Sequence, residues 1–72
     1  MPNIRPDIKK IVGHNIKRLR LKAGLTQDVL SERCGIFRTY LSRVEVGSAN
    51  PTLLVLMALA TTLHVEPAEL FK

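Results

Sequence analysis

The stretch from residue 26 to residue 45, TQDVLSERCGIFRTYLSRVE, limits the possible folds more than any other part of this chain. Thr26 can cap a helix, because its hydroxyl oxygen can accept a hydrogen bond from an early backbone N–H. Gly35 readily takes a positive φ, which is the conformation that ends many helices. A second helical run follows, with Leu41 and Val44 on its apolar side. We therefore predict two short helices separated by a tight glycine turn.

The outer side of the second of these helices is polar and basic. Arginine, threonine and serine side chains can hydrogen-bond the edges of DNA bases or the phosphates of the backbone. A helix, a tight turn and a second helix with such a side form the pattern of a DNA-binding helix-turn-helix. The residues on this side are Arg38, Thr39, Ser42 and Arg43.

From Ile16 to Leu70 the chain resembles the Cro/repressor-type (XRE) helix-turn-helix family, which includes phage repressors, small bacterial regulators, controller proteins of restriction–modification systems and some antitoxins. The segment RTYLSRVE is similar to the controller proteins in particular. The resemblance implies an all-α, lambda-repressor-like DNA-binding domain of five short helices, with the helix-turn-helix formed by the second and third. The matching residues are Ile16, Leu19, Arg20, Gly24 to Gln27, Leu30, Gly35, Ile36, Leu41, Ser42, Val44, Glu45, Gly47, Asn50 to Thr52, Leu63 to Val65 and Leu70.

The family's motif implies which residues of the third helix read bases. In this motif the start and the outer side of the third helix enter the major groove. Arg38 or Arg43 can bind guanine O6 and N7 together, and Thr39 can contact a thymine methyl or a base edge. The full base-reading set implied by the resemblance is Arg38, Thr39, Ser42 and Arg43.

Contacts with DNA phosphates are expected from the edges of the same motif. Gln27 stands at the start of the second helix, where backbone N–H groups also point outward. Tyr40 either brings its hydroxyl to the DNA backbone or packs half-buried. The basic residues of the first helix either contact phosphate or form a solvated face. The expected phosphate contacts are Gln27, Lys17, Arg18, Tyr40, Ser48 and Asn50.

Arg20 and Glu45 are expected to form a structural ion pair. In the family, the residues at these two positions commonly pair and lock the first helix to the end of the third. Glu45 follows Val44 towards the interior, where a carboxylate without a partner would be costly. We expect this pair to stabilise the fold and to take no part in a site.

Two residues depart from the family's pattern. Family members usually have a small polar residue at the position of Phe37, and phenylalanine cannot cap the third helix. Phe37 can instead pack on the turn or touch a thymine methyl. The family favours arginine or asparagine at the position of Val46, so a phosphate contact is expected to be missing there.

Basic residues are concentrated in the first part of the chain, which suits binding to a polyanion. Residues 1–45 contain ten Lys or Arg and four Asp or Glu, whereas residues 46–72 contain one Lys and two Glu. A lone cysteine cannot form an internal disulfide, and it stands at no ligand-like spacing from the two histidines. We therefore expect neither a metal ion nor a cofactor, and a cytoplasmic location.

The length of 72 residues allows one small domain. Residues 1–6 contain two prolines and are expected to be a flexible arm, whose Arg5 either touches DNA or belongs to a disordered end. No stretch of the sequence is long enough for a membrane span, and we expect no signal peptide because the first residues lack its apolar core.

The run from Thr52 to Leu63, TLLVLMALATTL, is apolar on almost all sides. A helix of this kind is either central in a domain or covered by a partner. So small a domain has little room for a central helix, and we expect a dimer surface formed with the final helix; a few tolerated surface aliphatics are the alternative. The expected interface residues are Leu54, Val55, Met57, Ala58 and Phe71, and those expected to face the core are Leu53, Leu56, Leu59 or Ala60, and Leu63.

These features predict a transcriptional regulator that binds specific double-stranded DNA as a homodimer on a pseudo-palindromic operator. Without a ligand-binding domain, control would come from protein concentration, through dimerisation or cooperativity, or from a partner protein. Two alternatives are an antitoxin-like protein that binds a toxin through its fourth helix, and a protein-interaction module that has lost DNA binding. An enzyme is not expected, because the sequence offers no nucleophile–base pairing, metal-ligand spacing or phosphate-cradling loop.

Overall fold

The fold of residues 7–72, which are the residues described by this computed structural model, consists of helices joined by short loops. The predicted all-α class is confirmed. The predicted arm, with Arg5, lies outside the described residues. The elements are α1 (Ile8–Lys22), α2 (Gln27–Cys34), α3 (Arg38–Glu45), α4 (Leu53–Thr62) and a final 3₁₀ helix (Pro67–Phe71).

The last element differs from the prediction of a fifth α-helix. It has five residues, and Pro67 stands at its start. Runs this short commonly form the tighter 3₁₀ helix, because a single turn can be closed by hydrogen bonds three residues apart. The described part of the chain therefore contains four α-helices and one 3₁₀ helix.

The predicted signals around the turn between α2 and α3 have the expected local geometry. The hydroxyl oxygen of Thr26 accepts a hydrogen bond from the backbone N–H of Val29 at 3.1 Å and caps α2. Gly35 ends that helix with φ of 69°. Phe37 precedes α3 and provides no side-chain cap for it. The helix-turn-helix is thus delimited by local backbone chemistry.

The core lies between the helices and is aliphatic. α1 packs against α3 and the final 3₁₀ helix, while α2 packs against α3 and α4. Full burial of a leucine or isoleucine side chain contributes about 1.5–3 kcal/mol, so five such residues account for much of the driving force. The residues with 0% exposure are Ile16, Leu30, Leu41, Leu59 and Leu70.

The prediction that Leu53 faces the core is wrong. Its side chain is 72% exposed, whereas Leu59 and Leu63 are buried. The hydroxyl of Thr52 accepts a hydrogen bond from the backbone N–H of Val55 at 3.2 Å, so α4 begins only at Leu53. Leu53 is thus the first residue of α4, and its side chain lies outside the core.

The sulfhydryl of Cys34 lies between α2 and α4. It donates to the carbonyl oxygen of Ala58 at 3.6 Å and lies 3.4 Å from the hydroxyl oxygen of Thr62.

Within residues 7–72 there is no group of three or more His, Cys, Asp or Glu side chains placed to hold a metal ion. No helix in this part of the chain is long and apolar enough to cross a bilayer.

Candidate nucleic-acid interface

Three helices meet at the carboxylate of Glu45, which is the last residue of α3. Arg20 of α1 donates through Nε to Oε2 at 2.7 Å and through Nη2 to Oε1 at 3.0 Å. Gln27 of α2 donates through Nε2 to Oε1 at 3.0 Å. The side chains of Arg20 and Glu45 are 8% and 1% exposed. This network fixes the end of α3 relative to the other two helices of the region.

A close approach of backbones provides a second fixed point between α1 and α3. Gly13 lies against the last turn of α3, and a Cβ atom added there would stand 2.7 Å from the carbonyl oxygen of Glu45. Real Cβ atoms are essentially never found that close to an oxygen, so only glycine allows this packing. Together with Arg20, Gly13 sets the position of α3 on the body of the protein.

The side of α3 that faces away from this anchor carries the four predicted base-reading residues. Leu41 and Val44 bury the opposite side of the helix. α3 has eight residues, and the diameter of an α-helix with its side chains, about 10–12 Å, matches the width of the DNA major groove. The exposed residues of the set are Arg38, Thr39 and Arg43, and Ser42 is half-buried.

An ion pair that the sequence did not suggest joins the starts of the two helices. Nε of Arg38 lies 3.2 Å from Oδ1 of Asp28, in the first turn of α2. Both side chains are largely exposed. Asp28 therefore holds an arginine that the family motif assigns to base reading.

Two apolar side chains project at the ends of α3. Phe37 is 83% exposed, so it does not pack on the turn, and Val46 is 67% exposed. Of the two roles considered for Phe37, contact with a thymine methyl is the one that its exposure favours.

Two of the predicted phosphate-contacting residues differ in the donors they have left for a phosphate. Among the described residues, Gln27 has an N–H without an acceptor, whereas the N–H and O–H of Ser48 both have one. One amide hydrogen of Gln27 is directed to Glu45, and the second remains for another acceptor. Ser48 directs its backbone N–H, at 2.9 Å, and its hydroxyl, at 3.2 Å, to the carbonyl oxygen of Arg43. A contact from Ser48 to phosphate would require breaking one of these hydrogen bonds.

Tyr40 and Asn50 occupy different surroundings. The ring of Tyr40 is half-buried against the core, as in the packing alternative. Its hydroxyl has no hydrogen-bond partner within residues 7–72. Asn50 is exposed beside a small groove of about 80 Å³, which Pro51 and Phe71 also line.

Arg18 is directed towards the final 3₁₀ helix and not towards α3. Its Nη2 donates to Oδ1 of Asn15 at 3.5 Å, and Asn15 in turn donates to the carbonyl oxygen of Leu70. The pKa of the Glu69 carboxyl is lowered, mainly by its hydrogen bond and charge pairing with Lys72 and less by the charge of Arg18. The structure thus separates Arg18 from the outer side of α3.

Lys17 is exposed on the outer side of α1, where it borders an open depression of about 340 Å³. His14, Arg18 and Leu21 line the same depression. All four residues belong to α1, so this depression does not bring Lys17 to the helix-turn-helix.

Comparison with known proteins agrees with this geometry. The family model described as helix-turn-helix (HTH_3) matches residues 16–70. The chain belongs to this family. Its fold and family are those of DNA-binding transcriptional regulators, as the resemblance implied.

Three relatives place this helix-turn-helix protein within the family. It is 45% identical over 64 residues to the uncharacterized HTH-type transcriptional regulator y4dJ of Sinorhizobium fredii, which covers 89% of this chain and 83% of the relative. It is 38% identical to control protein C.SmaI of Serratia marcescens, over 89% of this chain and 76% of that protein. The crystal structure of the restriction–modification controller protein C.AhdI from Aeromonas hydrophila has 38% identity and a TM-score of 0.85, covering 88% of this chain and 96% of that chain.

Lys10 is a basic residue of this helix-turn-helix protein that the sequence did not place near α3. A Cβ atom added to Gly47 would lie 2.7 Å from Cγ of Lys10, so the lysine stem runs beside the loop that follows α3. The periodicity of α1 marks Lys10 as an off-core residue, one of the basic residues expected either to contact phosphate or to form a solvated face. The contact depends on how α1 crosses α3, which no local pattern reveals.

The expected dimer surface of this helix-turn-helix protein is only partly exposed. Val55 packs against the core, and the carbonyl oxygen of Ala58 accepts the Cys34 sulfhydryl. Leu53 adds to the exposed part, although it was expected inside. The resulting α4 surface consists of Leu53, Leu54, Met57 and Phe71, which are 72%, 80%, 43% and 45% exposed.

Proposed function

We propose that this protein regulates transcription by binding a specific double-stranded DNA sequence with α3 in the major groove. The observation that carries the proposal is the outer side of α3, where Arg38, Thr39 and Arg43 are exposed on a helix held at its other side by Arg20 and Glu45. Arginine can take guanine O6 and N7 together, and threonine can meet a base edge or a thymine methyl. Because the helix is held rigidly, binding to DNA would cost little backbone conformational entropy.

The affinity for DNA would come mainly from phosphate contacts around α3. Gln27 retains an amide hydrogen at the start of α2, and the Tyr40 hydroxyl has no partner within residues 7–72. The stem of Lys10 lies beside the loop after α3, and its ammonium group would bring a positive charge to this region. Because such contacts release counterions, binding should weaken steeply as salt is raised.

The α4 surface supports assembly into a homodimer. Leu53, Leu54 and Met57 are within one helical turn of one another and expose apolar side chains to water. Contiguous apolar patches on small domains commonly mark protein interfaces. A two-fold dimer would place two copies of α3 about 34 Å apart, in successive major grooves of a pseudo-palindromic operator.

A regulator of this kind would act in the cytoplasm, and its occupancy of the operator would follow its own concentration. If only the dimer binds the operator, its concentration rises more steeply than the total protein concentration, because it depends on the square of the monomer concentration. The named control proteins among its relatives make a controller role in a restriction–modification system the narrower form of the proposal.

The α4 surface also supports a second candidate function. An antitoxin-like protein would use Leu54 and Met57 to bind a toxin, and its DNA binding would be secondary. Isolation of a stable complex with a second chain encoded beside this one would favour that function over self-association.

Selection of bound sites from randomised duplex DNA tests the proposed function. The purified protein should enrich a sequence with two inverted halves, whose centres are about 10 base pairs apart. Enrichment of one half alone would contradict the dimer and retain sequence reading. Recovery of unselected DNA, or of none, would contradict the proposed function itself.

A further inference from the structure

The ion pair between Asp28 and Arg38 links the first turn of α2 to the first residue of α3. The Arg38 side chain is 56% exposed and the Asp28 side chain is 77% exposed. An ion pair this open to water adds little to the stability of the fold. The pair still biases the direction of the guanidinium, because the carboxylate favours the orientations of this flexible side chain that place Nε beside it.

The atoms that form the pair matter for what Arg38 can bind. The guanidinium is planar and carries five N–H donors. Asp28 lies at Nε, and the hydrogen bonds found within residues 7–72 include none from the terminal nitrogens of Arg38. Guanine is recognised by two parallel donors directed at O6 and N7. The Asp28 carboxylate at Nε therefore orients the Arg38 guanidinium and leaves the N–H donors of its two terminal nitrogens for a guanine.

The same carboxylate disfavours a different contact. A DNA phosphate beside Arg38 would come close to Asp28 and be repelled by its negative charge. Guanine O6 and N7 carry no net charge and avoid most of this repulsion. Asp28 thereby favours contact with a base over contact with the backbone.

The other acidic groups of this region do not share this position. The carboxylate of Glu45 already accepts hydrogen bonds from Arg20 and Gln27. Glu32 is exposed one turn further along α2, and no contact with Arg38 is found for it. Asp28 and Glu32 thus carry the same charge on the same helix, and of the two only Asp28 lies close enough to pair with Arg38.

We propose that Asp28 is a positioning residue that sets the base specificity of Arg38. This inference rests on the proposed function, since it requires α3 to read DNA. Asp28 touches no base itself. It restricts Arg38 to the orientation in which its free donors meet a guanine.

The experiment compares Asp28→Ala with Glu32→Ala, because each removes one negative charge from an exposed position of α2. The wild-type protein and Arg38→Ala are first titrated against the selected duplex and its single-base-pair variants, which identifies the pair that Arg38 reads. Discrimination at that pair is then measured for both α2 variants. Thermal unfolding verifies that both variants are folded.

Asp28→Ala should reduce discrimination at the Arg38 pair by about three- to tenfold, which is part of what one bidentate contact provides. Glu32→Ala should leave it unchanged. Both variants should bind scrambled DNA slightly more tightly, because both lose a negative charge.

If Arg38→Ala loses discrimination and Asp28→Ala does not, the positioning role is overturned and the proposed function stands. If Arg38→Ala keeps all discrimination, the positioning role and the assignment of Arg38 both fall. Failure to select any duplex would overturn the proposed function, and the positioning role with it.

Discussion

Arg20 of α1 and Glu45 of α3 form a buried, two-bond ion pair, with Nε and Oε2 2.7 Å apart. The pair connects residues that are 25 positions apart in the sequence. A third bond from Gln27 brings α2 to the same carboxylate. The orientation of α3 is therefore determined by a polar network as well as by core packing.

Breaking this pair should strongly destabilise the protein. Glu45→Ala leaves the Arg20 guanidinium buried with only the Leu25 carbonyl as its partner, and we expect the free energy of unfolding to fall by about 3–5 kcal/mol. Urea denaturation measures the change. Glu66→Ala, at an exposed position, should stay within about 0.5 kcal/mol of wild type. A loss below about 1 kcal/mol for Glu45→Ala would show that the pair is not a structural anchor.

A capping residue in place of Phe37 should stabilise α3. Phe37 makes no capping hydrogen bond and is 83% exposed, so Phe37→Ser removes little packing and adds an acceptor for the first turn. We expect a gain of about 0.5–2 kcal/mol, measured by thermal or urea unfolding. Thr26→Ala, which removes an existing cap from α2, should have the opposite sign. A loss of stability in Phe37→Ser would mean that the phenyl ring has packing partners.

Gly13→Ala should destabilise the protein, although alanine normally favours a helix. The added Cβ would overlap the last carbonyl groups of α3, including that of Glu45. We expect this overpacking to cost about 1–3 kcal/mol, in contrast to a usual gain of up to about 1 kcal/mol for glycine replaced within a helix. His14→Ala is the neighbouring control, since it changes an exposed residue of the same helix. Increased stability of Gly13→Ala would contradict the close approach of α1 to α3.

A charge in the α4 surface should dissociate the proposed homodimer. Leu54→Glu places a carboxylate in the first turn of α4, where the helix dipole tolerates it, so the monomer should remain folded. The dimer loses one buried leucine from each copy, and its dissociation constant should rise by about a hundredfold or more. Sedimentation velocity at several concentrations measures this. Leu21→Glu changes an exposed leucine of α1 and should leave the dimer intact. An unchanged dissociation constant for Leu54→Glu would place the interface elsewhere.

The local features of the fold could be predicted from the sequence because they depend on single residues. The cap at Thr26 and the left-handed turn at Gly35 mark the ends of α2 whatever surrounds them. The apolar spacing of Ile16, Leu41 and Leu59 likewise predicts which sides are buried.

The features that the sequence did not predict depend on how helices cross. Asp28 and Arg38 meet only because the turn sets the angle between α2 and α3. Gln27 was assigned a phosphate contact, but its amide also reaches the carboxylate of Glu45. Leu53 was assigned to the core from the apolar spacing of the run 52–63, but its side chain is 72% exposed at the start of α4. Long-range geometry of this kind leaves no periodic signal in the chain.

The central claim is that α3 reads a specific DNA sequence, and equilibrium titration tests it most directly. The dissociation constants of the wild-type protein would be measured by fluorescence anisotropy for the selected duplex and for a scrambled duplex, at about 0.15 M salt. We predict that the selected duplex binds at least about a thousandfold more tightly. Arg43→Ala should lower this ratio by about five- to a hundredfold, whereas Arg33→Ala, an exposed arginine of α2, should leave the ratio unchanged. Equal affinity for the two duplexes, or equal effects of the two arginine variants, would contradict the account.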